Sequence, residues 1–271
     1  MYNKVKELND AQFRRKTGVK RTTFAKMVEI VKASEQARKK LQGRPLKLSY
    51  EDQVLMALEY LREYRTYFSL GQIYGLSEAN AYKTVRRVED ILIKAKEFRL
   101  PSRKAIYEAP VIEAVVVDAA ESGIERPKKN KEKMVLGKKK KHSIKTQVVI
   151  NFKSKQILKT SFANGKKHDF RLFKESGLLI RPEVKILGDT GYQGIRKLHE
   201  NSLIPVKRNR GKALDVNQKA FNHRLASQRI VVENVIGFLK RFRIISDRYR
   251  NRRKRFGLRF NLIAGFHNYE L

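Results

Sequence analysis

Three carboxylates stand out because acidic residues are scarce in this sequence and these three have apolar neighbours. Asp118 directly follows three valines, Asp189 follows Ile-Leu-Gly, and Glu233 has apolar residues on both sides within a helical pattern. A buried strand that ends in Asp presents a carboxylate at the sheet edge, where α/β proteins bind ligands. Carboxylates are hard oxygen ligands, and two divalent ions about 4 Å apart catalyse phosphoryl transfer. The three residues therefore predict a two-metal site.

Each of the three also has an ordinary structural interpretation. Asp118 and Asp189 could cap the turns that follow them. Glu233 could face solvent or pair with Arg229, which lies one helical turn before it. A carboxylate buried among apolar residues is costly unless it is paired or bound to metal. Two strand ends and one helix that carry such groups in a strongly cationic chain favour the metal site.

The charge of the chain indicates its binding partner. The 271 residues include 62 Lys and Arg against 27 Asp and Glu, which gives a formal net charge of +35. Such a field attracts polyanions, and nucleic acid is the commonest of them. An anionic membrane surface is the alternative, but the charge is spread along the whole chain and is not concentrated on one amphipathic helix. We expect DNA as the partner and no membrane.

The remaining composition excludes several kinds of site. No cysteine is present, which excludes disulfides and zinc sites with thiolate ligands. The first twenty residues have no apolar signal core, and no run of about 18 apolar residues occurs. These features predict a protein that acts in the cytoplasm.

The hydrophobic pattern divides the chain into two regions. Residues 1–100 follow helical spacing, whereas β-branched runs begin near residue 112 and alternate with helical segments up to 271. The fold class predicted for residues 101–271 is α/β, with a mixed sheet flanked by helices. An all-α region over residues 1–100 precedes it.

A helix-turn-helix is predicted within the first region. A short helix ends at Gly75, and Ser77 caps a second helix that is rich in Lys and Arg. The first half of such a second helix meets DNA bases. The residues expected to contact DNA here are Ser77, Asn80, Lys83, Thr84, Arg86 and Arg87.

Two further segments are strongly basic. Residues 126–145 include a run of four adjacent lysines, and residues 240–255 form a second basic cluster interleaved with aromatic residues. Either segment could be a solvated face. Beside a nucleic-acid enzyme fold, we interpret the four lysines as contacts to the DNA backbone. The lysines of this run are Lys138, Lys139, Lys140 and Lys141.

Several stretches of the sequence resemble the DDE transposases, most closely those of insertion-sequence family five. The stretch "VVVDAAES" resembles the first Asp strand of that family, "ILGDTGYQGI" its second Asp strand, and "RIVVENVIGFLKRFRII" its Glu helix. Residues 49–92 resemble its helix-turn-helix module. The resemblance implies a ribonuclease-H-like α/β catalytic domain over residues 101–271 and a helix-turn-helix region over residues 1–100.

The same resemblance implies an activity and its requirements. It implies a bacterial transposase that acts at the nucleoid and binds double-stranded DNA, both element ends and target, as a homodimer. It assigns catalysis to Asp118, Asp189 and Glu233, which would hold two Mg²⁺ ions for which Mn²⁺ can substitute. Two alternatives are a domesticated nuclease that no longer joins strands and a DNA-binding regulator whose catalytic domain is inactive.

Two details of the resemblance concern single residues. Arg229, Glu233 and Lys240 have the spacing of the family's Glu helix, but Ala226 stands where that pattern has Tyr. Arg229 and Lys240 are implied to hold DNA phosphates, or they belong to a solvated charge stripe. Asp169 could join the metal site, but we favour it as the N-cap of a helix over 170–176.

Overall fold

The computed structural model describes residues 1–38, 46–109, 112–125, 142–208 and 213–271. The chain forms two compact units. The helical unit contains residues 1–99, 239–247 and 255–270, and the sheet unit contains residues 100–238, 248–254 and Leu271. The division into functional domains at residue 100 stays a prediction. In the structure, two C-terminal segments pack with the N-terminal helices.

The described helices carry the labels α1 to α11 in chain order. They are α1 Tyr2–Lys6, α2 Asp10–Thr17, α3 Arg21–Arg38, α4 Tyr50–Glu63, α5 Tyr67–Tyr74, α6 Glu78–Leu92, α7 Arg103–Glu108, α8 Asp169–Glu175, α9 Val216–Lys240, α10 Arg243–Ser246 and α11 Phe256–Tyr269. Short 3₁₀ turns cover Lys96–Phe98, Thr190–Tyr192 and Ile195–Lys197. Among the helices described, none has the length and apolar character needed to cross a membrane.

Helices α5 and α6 form the predicted helix-turn-helix. Helix α5 ends at Gly75, whose φ of 64° is in the left-handed region that glycine adopts without steric cost. The side chain of Ser77 then accepts a hydrogen bond from the Asn80 amide at 3.3 Å and so caps α6. A Cβ on Gly71 would lie 2.6 Å from the carbonyl oxygen of Leu76, so the tight turn requires glycine there as well.

The described part of the sheet unit contains five strands, which form one mixed sheet. The strands are β1 Ala114–Gly123, β2 Ser143–Asn151, β3 Ile157–Asn164, β4 Lys185–Leu187 and β5 Ser202–Leu203. Their order is β3-β2-β1-β4-β5. Strands β3, β2 and β1 pair antiparallel, whereas β1, β4 and β5 pair parallel. The predicted mixed sheet flanked by helices is therefore confirmed.

The core of this unit lies against one face of the sheet. Val115, Val117 and Ile186 are almost fully buried and pack with Phe173 of α8 and with Tyr192. Apolar residues that alternate along β1 and continue in β4 bury one sheet face against these aromatic rings. This packing fixes the positions of both strands and of the residues that follow these side chains along the sequence.

Candidate active site and DNA-binding helix

The parallel pairing of β1 and β4 brings Asp118 and Asp189 to the same level of the sheet, at the carboxyl-terminal edge of its short parallel strands. Val116 is the register partner of Leu187. Each aspartate comes two residues after its member of this pair, so both are at the same level along the strand direction. β1 does not end at Asp118, as the sequence indicated, but continues to Gly123, and Asp118 is paired with Val148 of β2.

The carboxylate of Asp118 is mostly buried and incompletely paired. Its side chain is 20% exposed, and Oδ1 accepts a hydrogen bond from the Ala119 amide at 2.8 Å. The nearest guanidinium nitrogen, Nη2 of Arg229, is 3.8 Å away. Burial raises the pKa of Asp118, the charges of Asp189 and Glu233 raise it further, and the Ala119 amide and Arg229 oppose them. A cation bound here would stabilise the ionised form.

The carboxylate of Asp189 has a structural role in addition to any chemical one. It caps the 3₁₀ turn Thr190–Tyr192, and its Oδ1 accepts a hydrogen bond from the Gly191 amide at 2.9 Å. The ordinary interpretation of Asp189 as a cap is thus confirmed. The cap orients the half-buried carboxylate of Asp189 at the sheet edge.

Asp169 is the first residue of α8 and not its N-cap, so that prediction is wrong. His168 occupies the cap position and makes no side-chain capping bond. The carboxylate of Asp169 is instead engaged by Lys145 of β2, whose Nζ lies 2.7 Å from Oδ1. A Cβ on Gly191 would lie 2.6 Å from Oδ2 of Asp169 and 3.0 Å from Oδ1 of Asp189. Glycine at this position therefore allows the two carboxylates to lie near each other.

Glu233 lies on α9 and is exposed, in contrast to a carboxylate buried among apolar residues. Val232 and Val235 are buried, and because they are three residues apart they share one face of the helix. Glu233 lies outside that face. Arg229, one turn earlier, directs its guanidinium at Asp118. Glu233 is within electrostatic range of Asp118, whose pKa it raises.

Tyr192 is a site residue that the sequence reasoning missed. It is fully buried, and burial raises the pKa of its phenol, with additional contributions from Asp169, Asp118 and Asp189. The phenol therefore stays protonated among these three carboxylates. Its sequence signal is the "GDTGYQG" stretch, whose glycines by themselves indicate only a turn after Asp189.

The donor chemistry of this edge fits a hard divalent cation. Asp118 and Asp189 offer carboxylate oxygens, and Glu233 adds an exposed carboxylate. Within the part of the chain that the structure describes, no three His, Asp or Glu side chains are already close enough to hold one ion. The guanidinium of Arg229 supplies positive charge beside Asp118 instead.

The predicted DNA-contacting residues of α6 divide between two roles. Asn80, Lys83 and Thr84 line a groove of about 780 Å³ that is also lined by residues at the start of α4. Arg87 lines the same groove but also contacts other residues of the helical unit. Its Nη2 donates to Oε1 of Gln53 at 2.7 Å, and its Nε lies 3.4 Å from Oε1 of buried Glu35.

Three other residues that were predicted to contact DNA are Arg86, Ser77 and Lys240. Arg86 donates to the hydroxyl of Tyr82 at 2.5 Å, and the hydroxyl of Ser77 accepts the capping bond. Lys240 is exposed at the last position of α9.

The run of four lysines lies outside the described residues, so its contact with DNA stays a prediction. The structure describes the chain up to residue 125 and again from residue 142, and the run falls between these two points. The residues concerned are Lys138, Lys139, Lys140 and Lys141.

Comparison with known proteins identifies the family. Residues 117–268 match the model of the DDE superfamily endonucleases, and residues 46–96 match the model of the helix-turn-helix of the same superfamily. The chain is also 49% identical over 269 residues to a "Probable transposase for insertion sequence element IS702" from Microchaete diplosiphon, covering 99% of this chain and 97% of that protein. The chain is a DDE superfamily endonuclease of the insertion-sequence transposase family.

Two solved structures are similar to this DDE endonuclease at a lower level. The piggyBac transposase synaptic complex with hairpin DNA has a TM-score of 0.46 and 11% identity, covering 97% of this chain and 75% of that one. A pre-cleavage Mos1 transpososome has a TM-score of 0.23 and 13% identity, with coverages of 86% and 79%. The assignment rests on the family models and the insertion-sequence relative.

Proposed function

We propose that this DDE endonuclease cuts and joins DNA strands at the ends of its own mobile element, with Asp118, Asp189 and Glu233 as the metal-binding catalytic residues. The observation that carries the proposal is the parallel register of β1 and β4, which sets Asp118 and Asp189 at one sheet edge. The effect of Glu233 on the pKa of Asp118 supports the third assignment.

The family uses divalent metal, and the proposed resident ions are two Mg²⁺, for which Mn²⁺ can substitute. Bound divalent ions activate the attacking hydroxyl and offset charge on the transferred phosphoryl group. The chain's own contribution is to orient the carboxylates. The Ala119 amide holds Oδ1 of Asp118, and the Gly191 amide holds Oδ1 of Asp189.

Arg229 has a second role in this proposal. Its side chain is 13% exposed, its Nη2 is 3.8 Å from Asp118, and its Nε has no hydrogen-bond acceptor among the described residues. A guanidinium that is buried without saturated partners suits a phosphate oxygen, to which it can donate two hydrogen bonds. We assign Arg229 to the DNA phosphate next to the carboxylates.

The proposed partner is double-stranded DNA in the bacterial cytoplasm, both element ends and target, bound by a homodimer. The groove face of α6 supports end recognition because Asn80, Lys83 and Thr84 share it. Asn reads adenine and Thr contacts the thymine methyl group in the major groove, whereas Lys contacts guanine or phosphate. The remaining basic side chains are assigned to the DNA backbone. They are Lys138, Lys139, Lys140, Lys141 and Lys240.

The test is an incubation of the full chain with DNA that carries both element ends, a target plasmid and Mg²⁺. We expect cuts at the element boundary and joined products in the target. Cuts without joining would identify a nuclease only, and binding without cuts would identify a regulator, so either result overturns strand transfer. Glu183→Gln is the matched control for the site variants, because Glu183 is exposed and only two residues before β4 begins.

A further inference from the structure

A strongly basic turn, defined as residues 248–254, belongs to the sheet unit. Five of its seven residues are Arg or Lys, and none is acidic. Like charges at this density repel one another and oppose a compact conformation. The turn is nevertheless held in one conformation by a buried anchor.

The anchor is Tyr249, which is fully buried. Its amide donates to the carbonyl of Gly123 at 2.8 Å, and its carbonyl accepts from the Glu125 amide at 3.1 Å. It therefore forms a parallel bridge opposite Ile124, directly after β1. The Tyr249 hydroxyl donates to the carbonyl of Lys254 at 2.6 Å and closes the basic turn on itself.

Three arginines of the basic turn, Arg248, Arg252 and Arg253, are poorly neutralised by the part of the protein that the structure describes. Arg248 and Arg253 are exposed, and neither of them nor Arg252 forms an ion pair with an acidic side chain within the described ranges. Arg252 also adopts a φ of 55°, a left-handed conformation that is unfavourable for a residue with a side chain. Guanidinium groups without carboxylate partners, on a turn whose backbone is anchored, suit the regularly spaced phosphates of a nucleic acid.

The position of the basic turn relative to Asp118 follows from the strand. Ile124, opposite Tyr249, comes six residues after Asp118 along β1 and its continuation. At about 3.4 Å per residue, these positions are roughly 20 Å apart. Successive phosphates along one DNA strand are also about 3.4 Å apart in axial rise.

We propose that the basic turn is a DNA-backbone clamp that contacts phosphates about 20 Å, or roughly six base pairs, along the duplex axis from the reacting phosphodiester. The proposal rests on the proposed function in one respect, since it takes Asp118 to mark the reacting phosphodiester. In this proposal the arginines of the clamp contact phosphates, so they contribute equally to binding of any base sequence. It grips any duplex that lies along β1, whether element end or target.

The test compares two charge-matched double variants. Arg248→Gln with Arg253→Gln removes two charges from the basic turn. Lys153→Gln with Lys185→Gln removes two exposed charges from the opposite end of the sheet, where Lys185 pairs with Ala114 at the start of β1. All four substitutions are at exposed positions and leave the core unchanged. Affinity for end DNA and for unrelated duplex is measured without metal over a range of salt concentrations.

We expect the slope of log affinity against log salt to become shallower by roughly two units in the basic-turn variant, about equally on both DNAs. The control variant should keep the slope of the parent protein. Ethylation of phosphates about six nucleotides from the cleavage position should interfere with binding of the parent protein, and this interference should vanish in the basic-turn variant. The clamp is overturned if the basic-turn variant keeps the slope of the parent protein or has the slope of the control variant. It is also overturned if the basic-turn variant loses interference only at phosphates next to the cleavage position.

These readouts are independent of the catalytic proposal. Cleavage by Asp189→Asn in Mg²⁺ tests the carboxylates and does not involve the salt slope. Normal cleavage by that variant with a shallower slope in the basic-turn variant would overturn the catalytic assignment alone. Lost cleavage by Asp189→Asn with an unchanged slope would overturn the clamp alone.

Discussion

Two mostly buried carboxylates, Glu89 in the helical unit and Asp118 in the sheet unit, have opposite surroundings. Glu89 of α6 is fully buried, with Nε of Arg259 2.7 Å from Oε1 and Nη2 of Arg255 2.9 Å from Oε2. Asp118 has one arginine nitrogen at 3.8 Å and a backbone amide at 2.8 Å. Both oxygens of Glu89 are satisfied by direct ion pairs, whereas Asp118 has no ion pair of comparable length with any residue that the structure describes.

The difference separates a structural carboxylate from one that can bind a ligand. A buried carboxylate with two arginines in contact holds elements together, and removal of one partner leaves uncompensated charge. A carboxylate whose charged form is disfavoured by burial gains most from an added cation. Arg259 further contacts the Tyr67 hydroxyl at 3.2 Å and lies over the Tyr60 ring, so the Glu89 cluster also ties α11 to α4 and α5.

The largest expected effect is on chemistry at the sheet edge. Asp118→Asn, Asp189→Asn and Glu233→Gln should each lower cleavage in Mg²⁺ by roughly a thousandfold or more, because each removes the negative charge of a proposed metal ligand while it keeps the shape. Binding to end DNA without metal should persist or tighten, since a charge that repels phosphate is gone. Gel shift and strand cleavage are measured side by side for each variant. Near-normal cleavage by any of them contradicts its catalytic role.

The next effect is on stability in the helical unit. Glu89→Gln should lower the free energy of unfolding by about 3–5 kcal/mol, because Arg255 and Arg259 are left without their shared carboxylate. Glu78→Gln, at the exposed first residue of the same helix, is the control and should change it by less than about 0.5 kcal/mol. Urea unfolding of both variants decides the matter. Equal midpoints would mean that the Glu89 cluster is not structural.

A smaller effect separates the outer face of α6 from the face that carries Glu89. Asn80→Ala with Thr84→Ala should lower the preference for end DNA over random duplex by roughly tenfold or more, since one specific base contact discriminates by about 1–3 kcal/mol. The urea midpoint should stay at that of the parent protein, because Asn80 is exposed and Thr84 is only half-buried. Competition binding gives the ratio. An unaltered preference would place end recognition elsewhere.

The smallest effect is a gain in stability at Asp118. Burial raises the pKa of Asp118 in the folded protein above its ordinary value, so ionisation costs stability. That cost is absent at pH below the ordinary value and develops as the pH rises through the raised value. Asp118→Asn should therefore stabilise the metal-free protein at neutral pH, by up to about 1 kcal/mol, and the gain should disappear in acid. Urea unfolding in a chelator between pH 4 and pH 7 measures it, and a loss of stability at pH 7 would contradict it.

Local patterns in the sequence determined the elements that carry the candidate site. Helical spacing, the capping Ser77 and the β-branched runs act over a few residues, so they predicted the helix-turn-helix, β1 and β4. The strand-end pattern predicted the position of Asp189 just after β4, but β1 continues beyond Asp118 to Gly123. The same rules failed at Asp169, because Lys145 on a neighbouring strand competes for its carboxylate.

Tertiary structure alone decided how each carboxylate is paired. Glu89 meets Arg255 and Arg259 across 166 and 170 residues of sequence, and no local pattern connects positions that far apart. Arg229 is one helical turn from Glu233, which made that pair the natural expectation, yet its guanidinium is directed at Asp118 of β1. Spacing along the chain limits which side chains can share a face. Ion pairing depends instead on which faces the fold packs together. Burial then determines whether a paired carboxylate is structural or available to a ligand.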